Sequence, residues 1–350
     1  MDDLKKIKVF FFANLPVQDV KASYGGATVL AEQILKYLNN DNRLDIQHFS
    51  IRQTWKPKLH LINHFFWIFK FPFAIRKFDV VSFHTTWDFN FSVAPILWLW
   101  AKLMNKKIIY HFFGGNFHTQ YDSLPFFLKW IYDKTILSSD KVFFETKAKM
   151  DYFEQRNFTN IAWLPNARKP LLEKLPKKEF QQKFVFVSRV IPEKGIHEIV
   201  AAAEHLSSDY TIDIYGPIDS RYINEDYFDD KKVNYKGALT PSEVPEVLMQ
   251  YDVMLLPSWF KGEGYPGIVI EALSLGMPVI STYWNSIPEI LEDGYNGKLV
   301  EIQNSEKLLE AIVFFDIENY QFFRQNAFIS FEEFNSNFVF EKLKKSYLNA

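Results

Sequence analysis

Short runs of β-branched and aromatic residues alternate with amphipathic helical patterns along almost the whole chain, beginning with IKVFFFAN at residues 7–14. Parallel strands need a crossover connection, usually a helix, so the alternation predicts parallel sheets that are covered on both faces. The chain has 350 residues, and single hydrophobic cores stop growing at roughly 250–300 residues. The sequence therefore predicts an α/β protein with two doubly wound, Rossmann-like domains that face a central cleft.

A stretch rich in proline and lysine, at residues 165–182, separates the two halves of this pattern. We predict an N-terminal domain at 1–168, a linker at 169–182 and a C-terminal domain at 183–335, followed by a C-terminal helix at 336–350 that packs back on the first domain. Ligands of open parallel sheets bind at the carboxyl ends of the strands. The loops that directly follow strands are therefore where functional residues are expected.

The composition argues against several classes of protein. A net charge of −2 gives no basic field for nucleic acid, so no nucleic-acid partner is expected. The absence of cysteine excludes disulfides and thiolate metal sites and fits a reducing compartment. The first residues do not follow the pattern of a signal peptide, and the longest apolar stretch, from Ser92, is shorter than the about 20 residues that span a bilayer. We therefore expect a cytoplasmic protein.

The first candidate loop is FVSRVIPEKG, at residues 186–195. Arg189 directly follows a predicted strand, and Lys194 comes just before Gly195 and a helical pattern. Two cations at a strand-to-helix turn, together with the amides of the helix N-terminus, form a site for an anion. The alternative is an ordinary solvated surface turn.

The second candidate loop is GEGYPGIVIE, at residues 262–271. Its three glycines fit the dinucleotide-binding pattern G-x-G-x-x-G, but residues 259–261 separate the preceding strand from the first glycine. The next predicted strand, PVISTY, also lacks the terminal acid that would bind a ribose. The sequence therefore does not favour a dinucleotide fingerprint.

Glu263 and Glu271 flank the start of the helix that this loop predicts, GIVIEALSLG. The glycines allow a tight turn, and Pro266 suits the start of a helix. Carboxylates accept hydrogen bonds from the vicinal hydroxyls that sugars and riboses display. Alternatively, both acids stabilise the helix dipole. That alternative accounts poorly for Glu271, because Glu271 lies in an apolar run where an unpaired carboxylate is costly.

A third candidate loop begins at Gly237, at the end of the predicted strand in VNYKGAL. The backbone groups of Ala238 and Leu239, which follow the glycine, can hold a base. Thr240 or Ser242 is expected to cap the next helix.

The chain resembles the family 4 retaining glycosyltransferases of the GT-B fold (glycosyl transferases group 1) from about Phe184 to Glu301. The motifs that carry the resemblance are, in order, Arg189 with Lys194, the Gly237 turn, YDVMLLPS, the Glu263–Glu271 pair, EALSLGMPVIST, IPEIL and DGYNGKLV. Several linked motifs in the family's order are more specific than any one of them.

The resemblance implies a nucleotide-sugar donor that is bound mainly by the second domain. It implies that Glu271 binds the ribose hydroxyls, that Glu263 binds the transferred sugar, and that Arg189 and Lys194 bind the diphosphate. Glu263, Arg189 and Lys194 are the implied catalytic residues. The other implied donor-binding residues of the second domain are Ala238, Leu239, Gly264, Tyr265, Pro266 and Gly267.

The first half of the chain resembles the family more weakly. SYGGATVLAEQI is similar to the family's first glycine loop, where Gly25 and Gly26 would approach the donor phosphate and the acceptor. In KKIIYHFFGGNF, Phe113 stands where many members have a histidine before a glycine, and His111 lies two residues earlier. His111 is therefore catalytic, acceptor-facing or structural. The residues predicted on the acceptor side are His84, His111 and Asn116.

No metal and no cofactor are expected. The chain contains no Asp-x-Asp triplet, and the predicted cations already neutralise a diphosphate. His60 and His64 have a spacing that suits a metal, but no acidic third ligand accompanies them, so chance is the preferred explanation. The family implies that the departing phosphate oxygen takes the acceptor proton and that the configuration of the sugar is retained.

The acceptor is expected to be a glycan or a lipid-linked glycan in cell-surface polysaccharide or lipopolysaccharide synthesis. Residues 56–78 combine lysine and arginine with many aromatic residues, a mixture that suits the membrane interface. They predict peripheral contact with the inner face of the plasma membrane. The alternative for this segment is a partly buried helix.

Two rival functions remain open at this point. A sugar-nucleotide epimerase can share the fold and the donor site, but it needs an acid–base set that the sequence does not reveal. A non-catalytic nucleotide-sugar-binding partner is the other, and Phe113 in the place of histidine favours it.

Overall fold

The structure, a computed structural model, describes residues 6–17, 25–51, 59–114 and 117–349. The chain divides into two compact units, one comprising Met1–Asn166 with Asn337–Ala350 and the other Ala167–Ser336. It passes between the units after Asn166 and again after Ser336.

The first unit contains a six-stranded parallel sheet in the order β2-β1-β3-β4-β5-β6. The strands are β1 (Ile7–Ala13), β2 (Leu44–Ser50), β3 (Val80–Thr85), β4 (Lys107–Phe112), β5 (Lys141–Phe144) and β6 (Ile161–Trp163). The helices are α1 (Gly26–Leu38), α2 (Leu59–Ala74), α3 (Trp87–Asn90), α4 (Ala94–Leu103), α5 (Phe117–Asp122), α6 (Phe126–Lys134) and α7 (Lys147–Glu154). The last helix of the chain also belongs to this unit. The order of the sheet reverses at β1, which pairs with both β2 and β3.

Aromatic side chains fill the core of the first unit. Phe10, Phe12, Phe71, Phe83 and Phe89 are at most 1% exposed, and their rings meet in edge-on or stacked pairs. A continuous apolar strand such as β1 is typical of a parallel sheet that is buried on both faces. Much of the high phenylalanine content therefore builds this core.

The second unit contains another six-stranded parallel sheet, in the order β12-β11-β10-β7-β8-β9. Its strands are β7 (Lys183–Val187), β8 (Thr211–Tyr215), β9 (Asn234–Tyr235), β10 (Val253–Leu255), β11 (Val279–Thr282) and β12 (Gly297–Val300). Its helices are α8 (Ile196–Ala203), α9 (Val244–Leu248), α10 (Gly267–Ser274), α11 (Ser305–Phe314) and α12 (Tyr320–Ser330). The predicted pair of doubly wound parallel sheets is confirmed.

The last helix, α13 (Ser336–Leu348), contacts the first unit through polar groups. The Tyr37 hydroxyl donates to the Glu341 carboxylate at 2.8 Å, and the Tyr347 hydroxyl lies 2.7 Å from Ser82 Oγ of β3. Tyr347 is fully buried. These contacts join the middle and the C-terminal end of the helix to α1 and β3.

None of the helices in the described ranges is long and apolar enough to cross a membrane.

Candidate active site

The second sheet reverses its strand order between two neighbouring strands. β7 pairs with β10 on one side and with β8 on the other, so the chain runs outward in both directions from this point. Ligands of open parallel sheets bind outside the carboxyl ends of the strands at such a reversal. The loops after β7 and β10, which carry the first two candidate motifs, lie side by side there.

A glycine holds these two loops together. Gly195 has a φ of +84°, and a Cβ at this position would lie 2.4 Å from the carbonyl oxygen of Pro257. Trp259 N donates to the Glu193 carbonyl at 2.9 Å. Any larger residue at 195 would push the two loops apart, and left-handed backbone is itself strained for other residues.

Lys194 and Glu263 form a buried ion pair between the two loops. Lys194 Nζ lies 2.5 Å from Glu263 Oε2, and both side chains are 8% exposed. Ser258 Oγ donates to the same carboxylate oxygen at 2.6 Å. A buried charge needs a partner of this kind. Sequence reasoning selected both residues but not their pairing.

Arg189 lies beside this pair but is exposed. Its guanidinium carbon lies 5.1 Å from the centre of the Phe260 ring, and Lys194 Nζ lies 5.2 Å from the same centre. The ring therefore holds the two cations near one another by cation–π attraction. Two predicted anion-binding residues and one predicted sugar-binding residue are thus brought together.

Glu271 has a partner that the sequence did not predict. Arg168 Nε donates to Glu271 Oε1 at 2.5 Å, and the Glu271 side chain is 21% exposed. Glu271 is therefore half-buried and paired, and Glu263, at 8% exposed, is the more buried of the two carboxylates. A carboxylate in an apolar run indicates that a cation lies near it. The sequence does not indicate that this cation is Arg168, which lies 103 residues away.

In the turn from Gly264 to Gly267, backbone amides rather than side chains are the groups that a ligand could contact. The Tyr265 ring is 2% exposed, and its hydroxyl donates to Glu289 at 2.7 Å. Helix α10 starts at Gly267 after Pro266, and the first intrahelical bond is made by Val269 N. Within the described ranges, the amides of Gly267 and Ile268 donate to no other group, so they are available to a ligand.

The third loop follows β9. Gly237 has a φ of +83°, and its carbonyl accepts from Gly216 N at 2.9 Å. Within the described chain, the backbone groups of Ala238 and Leu239 make no hydrogen bond. The expected cap by Thr240 or Ser242 is wrong: the Thr240 hydroxyl donates to Glu243, and Glu243 is itself the residue before α9, with no side-chain cap.

In the first unit, Gly25 and Gly26 are exposed at the start of α1. A Cβ at either position would meet no described atom within 4 Å, and the φ of Gly25, −162°, is extended backbone that any residue adopts. Neither the contacts of the described residues nor the backbone angle of Gly25 therefore requires glycine here.

His84 and His111 lie inside the first unit. They are 1% and 0% exposed, and their Nδ1 atoms are 3.3 Å apart. Burial lowers the pKa of His111 to about 3 and holds the pKa of His84 well below its usual value, with His111 adding to that effect. Both rings are therefore neutral at pH 7.

Phe113 covers this histidine pair, with its ring centre 4.6 Å from that of His111. Ser82 Oγ lies 2.9 Å from His84 Nε2. The surroundings favour the structural interpretation of His111, and neither ring faces solvent. Asn116, the third predicted acceptor residue, lies outside the described residues. His64 is buried with Nδ1 3.0 Å from Ser92 Oγ.

In comparison with known proteins, part of the chain matches a family model, and its relatives are named as glycosyltransferases. Residues 181–315 match the family model of the glycosyl transferases group 1. An uncharacterised glycosyltransferase of Methanocaldococcus jannaschii is 23% identical over 89% of each chain. The amylovoran biosynthesis glycosyltransferase of Erwinia amylovora is 28% identical over 37% of this chain and 35% of its own length. The N,N'-diacetylbacillosaminyl-diphospho-undecaprenol alpha-1,3-N-acetylgalactosaminyltransferase of Campylobacter jejuni is 25% identical over 37% of this chain and 34% of its own.

Solved structures share the fold over nearly the whole chain. Sucrose-phosphate synthase of Thermosynechococcus elongatus superposes with a TM-score of 0.76 and 16% identity over 99% of this chain and 98% of that one. Anabaena HepE in complex with UDP gives a TM-score of 0.73 and 15% identity over 98% and 100%. The chain therefore has the GT-B fold of these structures, and residues 181–315, in its second unit, match the group 1 family model.

Proposed function

We propose that the chain is a retaining glycosyltransferase that moves a sugar from a nucleotide-sugar donor to a hydroxyl of a glycan or lipid-linked acceptor. The observation that carries the proposal is the cluster of Arg189, Lys194 and Glu263 at the reversal point of the second sheet, where Lys194 and Glu263 lie 2.5 Å apart. The relative from Erwinia is named for amylovoran biosynthesis, and the one from Campylobacter for a diphospho-undecaprenol substrate. Both names support a role in cell-surface polysaccharide or lipopolysaccharide synthesis.

The proposed chemistry follows from where charge develops. As the bond from the anomeric carbon to the diphosphate breaks, the leaving oxygens gain negative charge, and fixed donors that point at them lower the barrier. An ammonium group has three N–H donors. Lys194 uses one of them on Glu263, so it can bind a diphosphate oxygen at the same time, together with Arg189.

Glu263 has a matching role toward the sugar. Its Oε2 already accepts from Lys194 and Ser258, which holds the carboxylate in place before a substrate arrives. We propose that its remaining lone pairs accept from hydroxyls of the transferred sugar. A positioned carboxylate also stabilises the positive charge that forms at the anomeric carbon.

The function is tested by incubating the purified protein with single nucleotide sugars, alone and with a lipid-linked or glycan acceptor. Release of nucleoside diphosphate that increases with acceptor supports transfer. A new nucleotide sugar formed from donor alone supports the epimerase instead. Tight donor binding without turnover supports the non-catalytic partner. Retention is read from the anomeric configuration of the product by NMR.

Metal independence is the first prediction. Arg189 and Lys194 supply the positive charge that a divalent ion would otherwise bring to the diphosphate, so transfer should continue at an essentially unchanged rate in EDTA. The measurement is the initial rate with and without chelator. A complete loss that magnesium or manganese restores would contradict the proposed role of the two cations.

A membrane contact through residues 56–78 is part of the same proposal. Within this segment, the described part of α2 carries an outward-facing row of phenylalanines: Phe65, Phe66, Phe69 and Phe73 are 56–76% exposed. Helix α4, which packs against α2, adds Ile96, Leu99, Trp100 and Leu103 at helical spacing, all exposed. Apolar surface of this extent marks an interaction site.

The charges around these two helices favour a lipid surface as the partner. Neither α2 nor α4 contains an aspartate or glutamate, whereas Lys70, Arg76 and Lys102 are exposed on or next to them. Lys70 Nζ lies 5.2 Å from the Trp67 ring, and the Arg76 guanidinium lies 4.8 Å from the Phe73 ring. Aromatic rings in the interface with cations toward anionic headgroups are typical of peripheral membrane binding.

The second prediction follows from this surface. The protein should sediment with vesicles that contain anionic phospholipid, and Phe69→Ser together with Phe73→Ser should reduce the bound fraction several-fold. Raising the salt concentration should release the protein, because it screens the cations. The matched control is Ile317→Ser with Phe322→Ser, two exposed apolar residues of the second unit. Equal loss in both double variants, or no binding at low salt, would contradict the proposal.

A further inference from the structure

Arg168 takes no part in the predicted donor site, yet it holds one of that site's two carboxylates. Its Nε donates to Glu271 Oε1 at 2.5 Å. Among the described residues, no group donates to the other oxygen, Oε2, and the Glu271 side chain retains 21% exposure. Oε1 of the carboxylate is therefore hydrogen-bonded to Arg168, and Oε2 can accept hydrogen bonds from a ligand.

The backbone of Arg168 is fixed at the point where the chain enters the second unit. Arg168 N donates to the Phe334 carbonyl at 3.0 Å, and Ser336 N donates to the Arg168 carbonyl at 2.9 Å. These bonds form a short parallel bridge between Arg168 and Asn335. Two separate segments of the chain are thus joined at the residue that reaches Glu271.

The guanidinium is equally restrained. The Arg168 side chain is 7% exposed, and its Nη1 donates to the Ala167 carbonyl at 2.9 Å. A side chain that is held in one rotamer by packing and hydrogen bonds fixes its partner as well. Glu271 is therefore already ordered when the protein has folded, so its conformational entropy does not have to be lost when a ligand binds.

We infer that Arg168 is a positioning residue for nucleotide recognition: it orients Glu271 so that the free oxygen faces the two ribose hydroxyls. This inference rests on the proposed function, because it assumes that Glu271 binds ribose. Arg168 itself does not touch the nucleotide. Its effect should therefore appear only in interactions that Glu271 makes.

A purely structural role for Arg168 gives a different result. In that case the arginine only compensates a half-buried carboxylate, and removing it lowers stability without altering ligand selectivity. The two roles are separated by a ligand pair that differs only in the group that Glu271 binds. A nucleoside diphosphate and its 2′-deoxy counterpart form such a pair.

The experiment titrates UDP, GDP and ADP into the whole protein by calorimetry, and then compares the tightest of them with its 2′-deoxy form. The wild type should prefer the ribonucleotide by about ten-fold, as expected for the loss of one charge-assisted hydrogen bond. Arg168→Met should bind the ribonucleotide about ten-fold more weakly and lose most of that preference. Arg168→Lys should recover part of it.

The matched control is Arg324→Met. Arg324 is another buried arginine of the second unit, 3% exposed, and its Nη1 donates to the Pro176 carbonyl at 2.7 Å. This variant should lower the melting temperature but keep the affinity and the ribose preference of the wild type. Arg168→Met with an unchanged ribose preference would overturn the inference while leaving the donor site intact. If the wild type binds none of the three nucleotides, the proposed function fails as well.

Discussion

Replacing Lys194 with methionine is expected to destabilise the second unit by about 3–5 kcal/mol, the cost of leaving one partner of a buried ion pair uncompensated. Methionine fills a similar volume but leaves the Glu263 carboxylate, 8% exposed, with Ser258 as its remaining side-chain donor among the residues that the structure describes. The reciprocal substitution, Glu263→Met, should lower the stability by about the same amount, because it leaves the buried Lys194 ammonium without its carboxylate. Urea denaturation followed by circular dichroism measures both.

The double variant distinguishes a pair from two independent charges. With both residues changed to methionine, no buried charge remains, so the double variant should be clearly more stable than the sum of the single changes implies. Lys307→Met is the control, since Lys307 lies 2.7 Å from Glu310 in an exposed pair and should have no measurable effect. Single variants no less stable than this control would show that the buried pair does not form.

The strands were largely predictable because a buried parallel strand leaves a continuous apolar run in the sequence. β1, Ile7–Ala13, lies within the predicted run IKVFFFAN. β6, Ile161–Trp163, was missed because three residues give too little pattern to separate a strand from the linker that follows. Such an edge strand is defined by its pairing with β5, which a single sequence does not display.

The candidate site was predictable residue by residue but not as a set of contacts. Arg189 and Lys194 were selected as cations at a strand-to-helix turn, and Glu263 and Glu271 as acids beside and within the start of a helix. Their pairings join residues 69 apart in the case of Lys194 and Glu263 and 103 apart in the case of Arg168 and Glu271. Sequence spacing carries no information on contacts of that range, because only the fold brings the two loops together.

His84 and His111 are residues whose surroundings could not be predicted from the sequence. Sequence reasoning predicted both residues on the acceptor side and left a catalytic or a structural role open for His111. In the structure they contact each other, and Tyr347 of α13 lies 3.3 Å from His84 Nε2. A helix from the far end of the sequence supplies the polar partner that makes a buried histidine tolerable.

Glu271→Gln is expected to lower nucleotide affinity, whereas Glu263→Gln is expected to lower the transfer rate. Glu271→Gln keeps the shape of the side chain but loses its charge, so nucleoside diphosphate affinity should fall by about ten-fold, equivalent to about 1.4 kcal/mol. Glu263→Gln should lower the transfer rate by about 100-fold, equivalent to about 2.7 kcal/mol of transition-state stabilisation. Its diphosphate affinity should be unchanged or higher, because Lys194, now 2.5 Å from Glu263, would no longer share its charge with a carboxylate.

The comparison requires both variants to be titrated with the same nucleoside diphosphate and assayed for transfer in parallel, at a temperature well below their melting points. Glu263 and Glu271 lie on one loop and the helix that follows it, so a general disturbance of that region would reduce both quantities in both variants. Separate losses therefore indicate separate contacts. If Glu263→Gln lost nucleotide affinity while Glu271→Gln kept it, the two assignments would be exchanged. If neither change altered affinity or rate, both carboxylates would serve only to neutralise Lys194 and Arg168, and the donor site would have to lie elsewhere in the chain.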